Sequence, residues 1–231
     1  MKSQLVTTAA LALGALVGFA VPASASLIYL GNSPVAGGVG NSQIVLSLSS
    51  PGNTTIETGS VSPGPTCTGD IQNPCKSPSN QTPSFADAGV TSAANLRIYL
   101  DAQEPGNDNL ITADSLMLNV YNSAGTSLVF SASLAPVPLN LTTCPGQGNN
   151  CVNVFGLDTQ QAATLQGVFS SSELVGLAAS FSNATAGPDR LFLANGTTVP
   201  VPPPVNTPEP ASLFLIGTGL VGAGLLRRKW A

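Results

Sequence analysis

Apolar and polar residues alternate along four stretches in the middle of the chain. In one of them, Leu96, Ile98 and Leu100 are separated by Arg97 and Tyr99. A period of two is typical of a strand that buries one face. We therefore predict strands at 44–48, 96–100, 116–121 and 128–134, and shorter ones at 27–30, 54–61, 152–157, 177–181 and 190–194.

Turn-forming residues separate these stretches, for example at Pro51-Gly52-Asn53 and Ala186-Gly187-Pro188. Many short strands with one apolar face each favour two sheets that pack face to face. We predict an all-β fold for residues 26–198, an antiparallel β-sandwich of the jelly-roll type.

One segment has a helical pattern instead. Asp158 can cap a helix, Gln161 follows three residues later, and Leu165 and Phe169 share a face. We predict a short helix here, lying across one end of the sandwich. Residues 63–84 are rich in Pro, Ser, Thr and Gly, and we interpret them as a long surface loop.

The first 25 residues have the features of a secretory signal. Lys2 supplies the positive charge, residues 5–20 form an apolar run, and Ala23-Ser24-Ala25 is a small-x-small cleavage site. We predict a signal helix, residues 1–25, that is removed so that the body begins at Ser26. The short apolar core disfavours the alternative, a permanent N-terminal membrane anchor.

The chain contains four cysteines: Cys67, Cys75, Cys144 and Cys151. An even number in an exported chain indicates disulfides. Three pairings are possible, and we favour Cys67–Cys75 and Cys144–Cys151 because each pair brackets a segment rich in turn-forming residues. The alternative is a metal site, which would need closely spaced Cys or His ligands, and no C-x-x-C is present.

Charge and histidine content narrow the possible functions. The body, residues 26–198, carries Lys76, Arg97 and Arg190 against all but one of the chain's 11 carboxylates. This acidic balance argues against a nucleic-acid partner, because binding phosphates needs clustered Lys and Arg. The chain has no histidine, so nucleophile systems and zinc sites that use histidine are excluded. We expect no enzyme activity and no cofactor.

The connection 101–114 gathers carboxylates between two predicted strands, at Asp101, Glu104, Asp108 and Asp114. The favoured interpretation is structural, with a turn at Pro105-Gly106 and carboxylates that accept backbone hydrogen bonds. The next is a Ca²⁺ site built from these four oxygen ligands. EF-hand spacing fails, because Thr112 occupies the position that needs Glu. The third is a carboxylate pair for glycoside hydrolysis.

Aromatic side chains offer another candidate site. Tyr99 and Tyr121 fall on the outward phase of strands that we predict to be neighbours, so they could lie side by side. Such a pair would suit a carbohydrate-binding or adhesive module. The favoured interpretation is that the two rings cover the sheet.

Three segments follow one another at the C-terminus. A proline-rich linker, 199–207, leads to Pro208-Glu209-Pro210, then to the uncharged stretch 211–226, and finally to Arg227-Arg228-Lys229. As a helix, the uncharged stretch spans about 24 Å against a hydrocarbon core of ~30 Å, so it is a marginal transmembrane helix. The positive charges prefer the cytoplasmic side, which would put the body outside.

This arrangement resembles the PEP-CTERM sorting signal. Pro208, Glu209 and Pro210 match its tripeptide, 211–226 its hydrophobic helix, and the final cluster its basic end at Arg227, Arg228 and Lys229. The same segment is also described as an ice-binding protein C-terminal domain, a label that is no evidence of ice binding.

The resemblance covers residues 208–231 and implies a route. It implies export across the inner membrane of a Gram-negative bacterium that makes exopolysaccharide. It also implies transient anchoring by the C-terminal helix, recognition and cleavage by a membrane-embedded exosortase, and release to the cell surface or extracellular matrix. We therefore expect a non-catalytic exported protein, with exosortase, membrane and exopolysaccharide as its partners.

Overall fold

The computed structural model describes residues 26–34, 43–50, 54–75, 80–102, 110–141, 151–184 and 188–196. The chain divides into two units, Met1–Thr198 and Val199–Ala231, and the described residues all belong to the first. Within those ranges no helix has the length and apolar character that a bilayer crossing requires. The predicted signal helix, 1–25, and the predicted C-terminal helix, 211–226, lie outside the described residues.

Strands dominate the described part of the chain, which confirms the all-β prediction. Each of the nine stretches predicted from alternation contributes a strand, and two further strands, β4 and β8, were not predicted. The strands are β1 (Ser26–Pro34), β2 (Gln43–Ser49), β3 (Ile56–Ser62), β4 (Thr66–Gly69), β5 (Leu96–Asp101), β6 (Leu110–Tyr121), β7 (Leu128–Leu134), β8 (Val137–Asn140), β9 (Cys151–Leu157), β10 (Leu174–Ser182) and β11 (Pro188–Asn195).

These strands form one curled 11-stranded sheet, which corrects the prediction of two separate sheets. The order is β2-β11-β5-β9-β1-β7-β6-β10-β3-β4, and β8 pairs with β6. The two halves are joined by a short parallel pairing of β1 with β7, in which Ser26 faces Ser133 and Leu27 faces Leu134. The other strand pairs are antiparallel, so the prediction of an antiparallel sheet fails only at this junction.

The concave side of the curled sheet encloses one apolar core. Leu46 and Leu100, from one half, and Leu118 and Leu177, from the other, belong to the same buried cluster and are fully inaccessible to solvent. Burying an aliphatic side chain of this size stabilises a fold by about 1.5–3 kcal/mol. The shared core therefore holds the two halves against each other.

The predicted helix is present as α1 (Thr159–Gln166). A carboxylate oxygen of Asp158 accepts a hydrogen bond from the backbone N–H of Gln161 at 2.7 Å, which confirms Asp158 as the N-cap. Leu165 is buried in the core. Phe169 lies beyond the helix and stacks on Phe85, with ring centroids 4.8 Å apart. A short 3₁₀ helix, Ala93–Asn95, precedes β5.

Residues 63–75 and 80–84, the described part of the predicted surface loop 63–84, contain more regular structure than a surface loop would. They contain β4, and the chain after β4 crosses to the opposite edge of the sheet, where Ile71 forms a bridge with Leu48. The predicted Cys67–Cys75 disulfide is present and encloses this crossing. We call residues 66–75 together with Asn80 and Gln81 the latch. The second predicted pair involves Cys144, which lies outside the described residues.

A glycine at the end of β4 allows the chain to turn away from β3. Gly69 has a φ of 86°, and a Cβ atom there would lie 2.0 Å from the carbonyl oxygen of Thr58. Gly64, in the preceding turn, has a φ of 109° but more space, because the nearest atom to its Cβ would be Thr66 Oγ1 at 3.8 Å. A side chain at Gly64 would therefore meet backbone strain alone, whereas a side chain at Gly69 would meet the same strain together with steric overlap.

We predict that Gly64→Ala lowers the free energy of unfolding by about 1–2 kcal/mol, the cost of a left-handed residue with a Cβ. Gly69→Ala should lower it by at least about 3 kcal/mol, since overlap with β3 adds to the same strain. Urea denaturation of both variants measures the difference. Equal losses would mean that the approach of β4 to Thr58 is not a tight one.

Candidate functional site

Several carboxylates lie where strands begin or end at one end of the sheet. Asp101 is the last residue of β5 and Asp114 lies near the start of β6. Glu57 and Asp189 are each the second residue of their strand, β3 and β11. We call this region the acidic end. The strand directions therefore bring Asp101 and Asp114 to the same end, whereas Glu104 and Asp108 lie outside the described residues.

Asp114 owes its place to an irregularity in β6. The pairing with β10 passes from Ser115 opposite Ser180 to Ala113 opposite Phe181, so Asp114 is the extra residue of a β-bulge. Its carboxylate accepts a hydrogen bond from the hydroxyl of Ser182 at 3.0 Å. Asp114 is thus partly engaged in tying β6 to β10.

Asp101 lies in the other half of the sheet. In the register of β5 with β11 it stands opposite Arg190. Opposite charges at such a cross-strand position attract each other and support that register. The placement of Asp101 and Asp114 is compatible with the structural interpretation of this connection, and it leaves the calcium interpretation a prediction.

Glu57 and Asp189 are acidic residues that sequence analysis did not single out. Both are buried, at 0% and 1% exposure. The hydroxyl of Ser50 donates a hydrogen bond to Glu57 Oε1 at 2.9 Å, and also approaches the carbonyl of Ala184 at 3.1 Å. The sequence signal for burial of Glu57 was its position in the alternation of β3. Gly59 and Val61 follow it at spacings of two, and all three residues lie on the inward face.

The acidic end contains no compact ligand set within the described residues. No group of three or more His, Cys, Asp or Glu side chains among the described ranges is close enough to hold a metal ion. Two of the four predicted ligands, Glu104 and Asp108, fall outside those ranges.

The predicted tyrosine pair is wrong. β5, which carries Tyr99, pairs with β9 and β11, whereas β6, which carries Tyr121, pairs with β7, β8 and β10. The two rings therefore do not lie on neighbouring strands. Tyr99 lies near Arg97 instead, and burial raises the pKa of the Tyr99 phenol while the Arg97 charge opposes that rise.

Arg97 has a structural role. Its guanidinium donates hydrogen bonds to the carbonyl oxygens of Ala94 and Leu96, at 2.8 and 2.7 Å. Burial lowers the pKa of this group, with the neighbouring Tyr99 acting in the other direction. The side chain thus fastens the 3₁₀ turn to the start of β5.

The half of the sheet that runs from β7 to β4 in the strand order has an outward face rich in hydroxyl groups. The hydroxyls of Ser60 and Thr68 lie 2.8 Å apart across β3 and β4, and Ser131 donates to Asn119 Oδ1 at 2.9 Å across β7 and β6. Near the middle of this face Met117 is 41% exposed. These side chains satisfy one another across the strands, which stabilises the sheet.

The predicted sorting residues lie at the C-terminus, outside the described ranges. The chain matches the family model of the PEP-CTERM protein-sorting motif over residues 206–229. That range includes the tripeptide Pro208-Glu209-Pro210, the hydrophobic stretch 211–226 and the basic cluster Arg227-Arg228-Lys229. The motif marks exported proteins that an exosortase processes in Gram-negative bacteria.

No curated protein and no solved structure matches this chain at a significant level. The sorting motif is therefore the part of the chain that a comparison identifies, and it lies apart from the curled sheet in sequence. The motif confirms the resemblance on which the predicted route was based. The chain is a PEP-CTERM sorting domain-containing protein.

Proposed function

We propose that this chain is a non-catalytic exported protein of the cell surface or exopolysaccharide matrix. Its C-terminal hydrophobic stretch would hold it briefly in the inner membrane until an exosortase cleaves near Pro208-Glu209-Pro210. The match to the sorting motif at residues 206–229 is the observation that carries this proposal.

Two further features support an exported destination. Residues 1–25 have the charge, apolar core and small-residue site of a secretory signal. The Cys67–Cys75 disulfide suits an oxidising compartment, because disulfides persist outside the cytosol. Both features are independent of the C-terminal motif.

The absence of histidine from the sequence supports a non-catalytic role. Of the described carboxylates, Glu57 accepts a hydrogen bond from Ser50 and Asp114 accepts one from Ser182, so these two have a structural use. Nothing among the described residues favours the glycoside hydrolase alternative.

We predict that replacing Pro208, Glu209 and Pro210 with alanine, in a host that contains the exosortase, keeps the protein in the membrane fraction. Intact mass should show a retained C-terminus, because the cleavage site is lost. A matched control replaces Pro202, Pro203 and Pro204, which lie in the same proline-rich region but outside the matched residues. The control should be processed and released like the natural chain.

An alanine variant with the mass and location of the natural protein would contradict processing at this tripeptide. Retention of the control as well would mean that the stiffness of the linker matters, and not the motif itself. In either case the proposed route would need revision.

A second candidate is a calcium-dependent carbohydrate-binding or adhesive module. The observation in its favour is the acidic end, where Asp101 and Asp114 flank the connection that carries Glu104 and Asp108. Carboxylate oxygens are the ligands that Ca²⁺ prefers, and extracellular sites bind it at about 10⁻⁴–10⁻³ M. Exopolysaccharide is the carbohydrate that the proposed location would supply.

For this candidate we predict that the protein recovered from its host binds Ca²⁺ in calorimetry and gains thermal stability. The double change Asp101→Asn and Asp114→Asn should abolish both effects, because it removes two of the four ligand charges. Asp87→Asn is the matched control, since Asp87 is an exposed carboxylate bonded to Ser84 in a turn away from the acidic end. No heat of binding and no rise in melting temperature would remove this candidate.

A further inference from the structure

The backbone edge of β2 is covered by the latch. The N–H of Gln72 donates to the carbonyl of Ser47 at 3.1 Å, and the N–H of Ser49 donates to the carbonyl of Asp70 at 3.0 Å. The N–H of Ser47 donates to the side-chain oxygen of Asn80 at 2.9 Å. The N–H of Gln81 donates to the carbonyl of Val45 at 3.2 Å. The latch therefore occupies the positions that a neighbouring strand would fill.

The same segment is fixed to the other edge of the sheet. β4 pairs with β3, and the N–H of Asp70 donates to the carbonyl of Thr58 at 2.7 Å. The Asp70 carboxylate accepts the N–H of Thr58 at 2.9 Å. Because β2 and β4 are the two ends of the strand order, the latch bridges the edges of the curled sheet.

The disulfide encloses part of this bridge. Asn80 and Gln81 follow the disulfide loop, and the side-chain amide of Asn80 donates to the carbonyl of Asn73 inside it at 2.7 Å. Cys67 lies in β4 opposite Val61, and Cys75 follows the crossing. Asp70 and Gln72, which bond to β2, lie between the two cysteines. Both cysteines are only half-buried and the neighbouring Thr68, Gln72 and Pro74 are exposed, so a small reductant can reach the bridge.

The strand beneath the latch has no protection of its own. β2 reads Gln-Ile-Val-Leu-Ser-Leu-Ser, with no charge and no proline. Exposed edges of natural sheets usually carry charged residues or proline, which prevent pairing with another chain. A second copy of the same uncharged edge fits it, since two copies can pair antiparallel about a two-fold axis.

We propose that the Cys67–Cys75 disulfide is a redox-controlled closure of the β2 edge, and that its reduction allows β2 of one copy to pair with β2 of another. In the reduction, a dithiol gives up two electrons and two protons and becomes a disulfide. Cys67 and Cys75 each become a thiol, and the released latch leaves the edge. The pairing of the two copies is non-covalent.

Hydrogen exchange of the full-length protein, with and without dithiothreitol, tests the first step. The amides of Ser47 and Ser49 are bonded to the latch and should exchange at least tenfold faster after reduction. The amides of Leu46 and Leu48 face β11 and should stay protected, because antiparallel pairing alternates the direction of backbone groups. At higher protein concentration, light scattering should show dimers in the reduced sample, with Ser47 and Ser49 protected again.

Variants separate this bridge from the other cysteines. The pair Cys67→Ser and Cys75→Ser should form dimers without any reductant. The pair Cys144→Ser and Cys151→Ser keeps the bridge and should stay monomeric until the dithiol is added. Adding Ser49→Pro to the first pair removes an edge N–H donor and should restore the monomer.

Three results would overturn the proposal. One is that the Ser47 and Ser49 amides remain protected in reduced monomer. Another is that the Leu46 and Leu48 amides lose protection together with them, since the bridge would then support the whole sheet and not its edge. The third is that the chain without Cys67 and Cys75 stays monomeric at every concentration while its edge amides exchange freely.

Discussion

The fold depends on satisfying the backbone groups at the two edges of one curled sheet. An edge strand presents N–H and C=O groups that need partners, and strand pairing leaves β2 and β4 at opposite ends of the strand order. The residues after β4 supply partners for the edge of β2, because they turn and bond to its backbone. Gly59 permits the approach, since a Cβ atom there would lie 2.6 Å from Leu48 Cδ2 and 2.9 Å from Ile71 Cδ1.

Alternation in the sequence identified the strands but not their neighbours. Leu96, Ile98 and Leu100 are buried as predicted, because period two fixes which side chains share a face. The alternation contains no information about which strand lies next to which. For that reason the prediction that Tyr99 and Tyr121 lie on neighbouring strands was wrong. β8 escaped prediction because Pro138 argues against a strand interior. Among the described strands β8 pairs with β6 alone, so it tolerates a missing donor.

The polar residues of the interior were the hardest to predict. Glu57 lies at an inward-facing position of β3, where the alternation alone would place an apolar residue. Its partner Ser50 is seven residues away, directly after the end of β2. Asn80 lies in a segment that resembles a surface loop, yet it is fully buried and bonds to Ser47 and to the carbonyl of Asn73. A buried polar group is stable only when bonded, so its position depends on tertiary partners that local sequence does not reveal.

The closure of this fold depends on the route of the protein through oxidation of Cys67 and Cys75. A sorting signal could be identified from sequence because its parts are adjacent along the chain and each acts by simple chemistry: proline, apolar length and positive charge. The latch, in contrast, depends on hydrogen bonds to β2 and β3, and its Cys67–Cys75 loop is covalently closed only where disulfides persist. In the reducing cytosol the same chain lacks this closure. Export therefore brings the protein to the compartment in which its sheet can be closed.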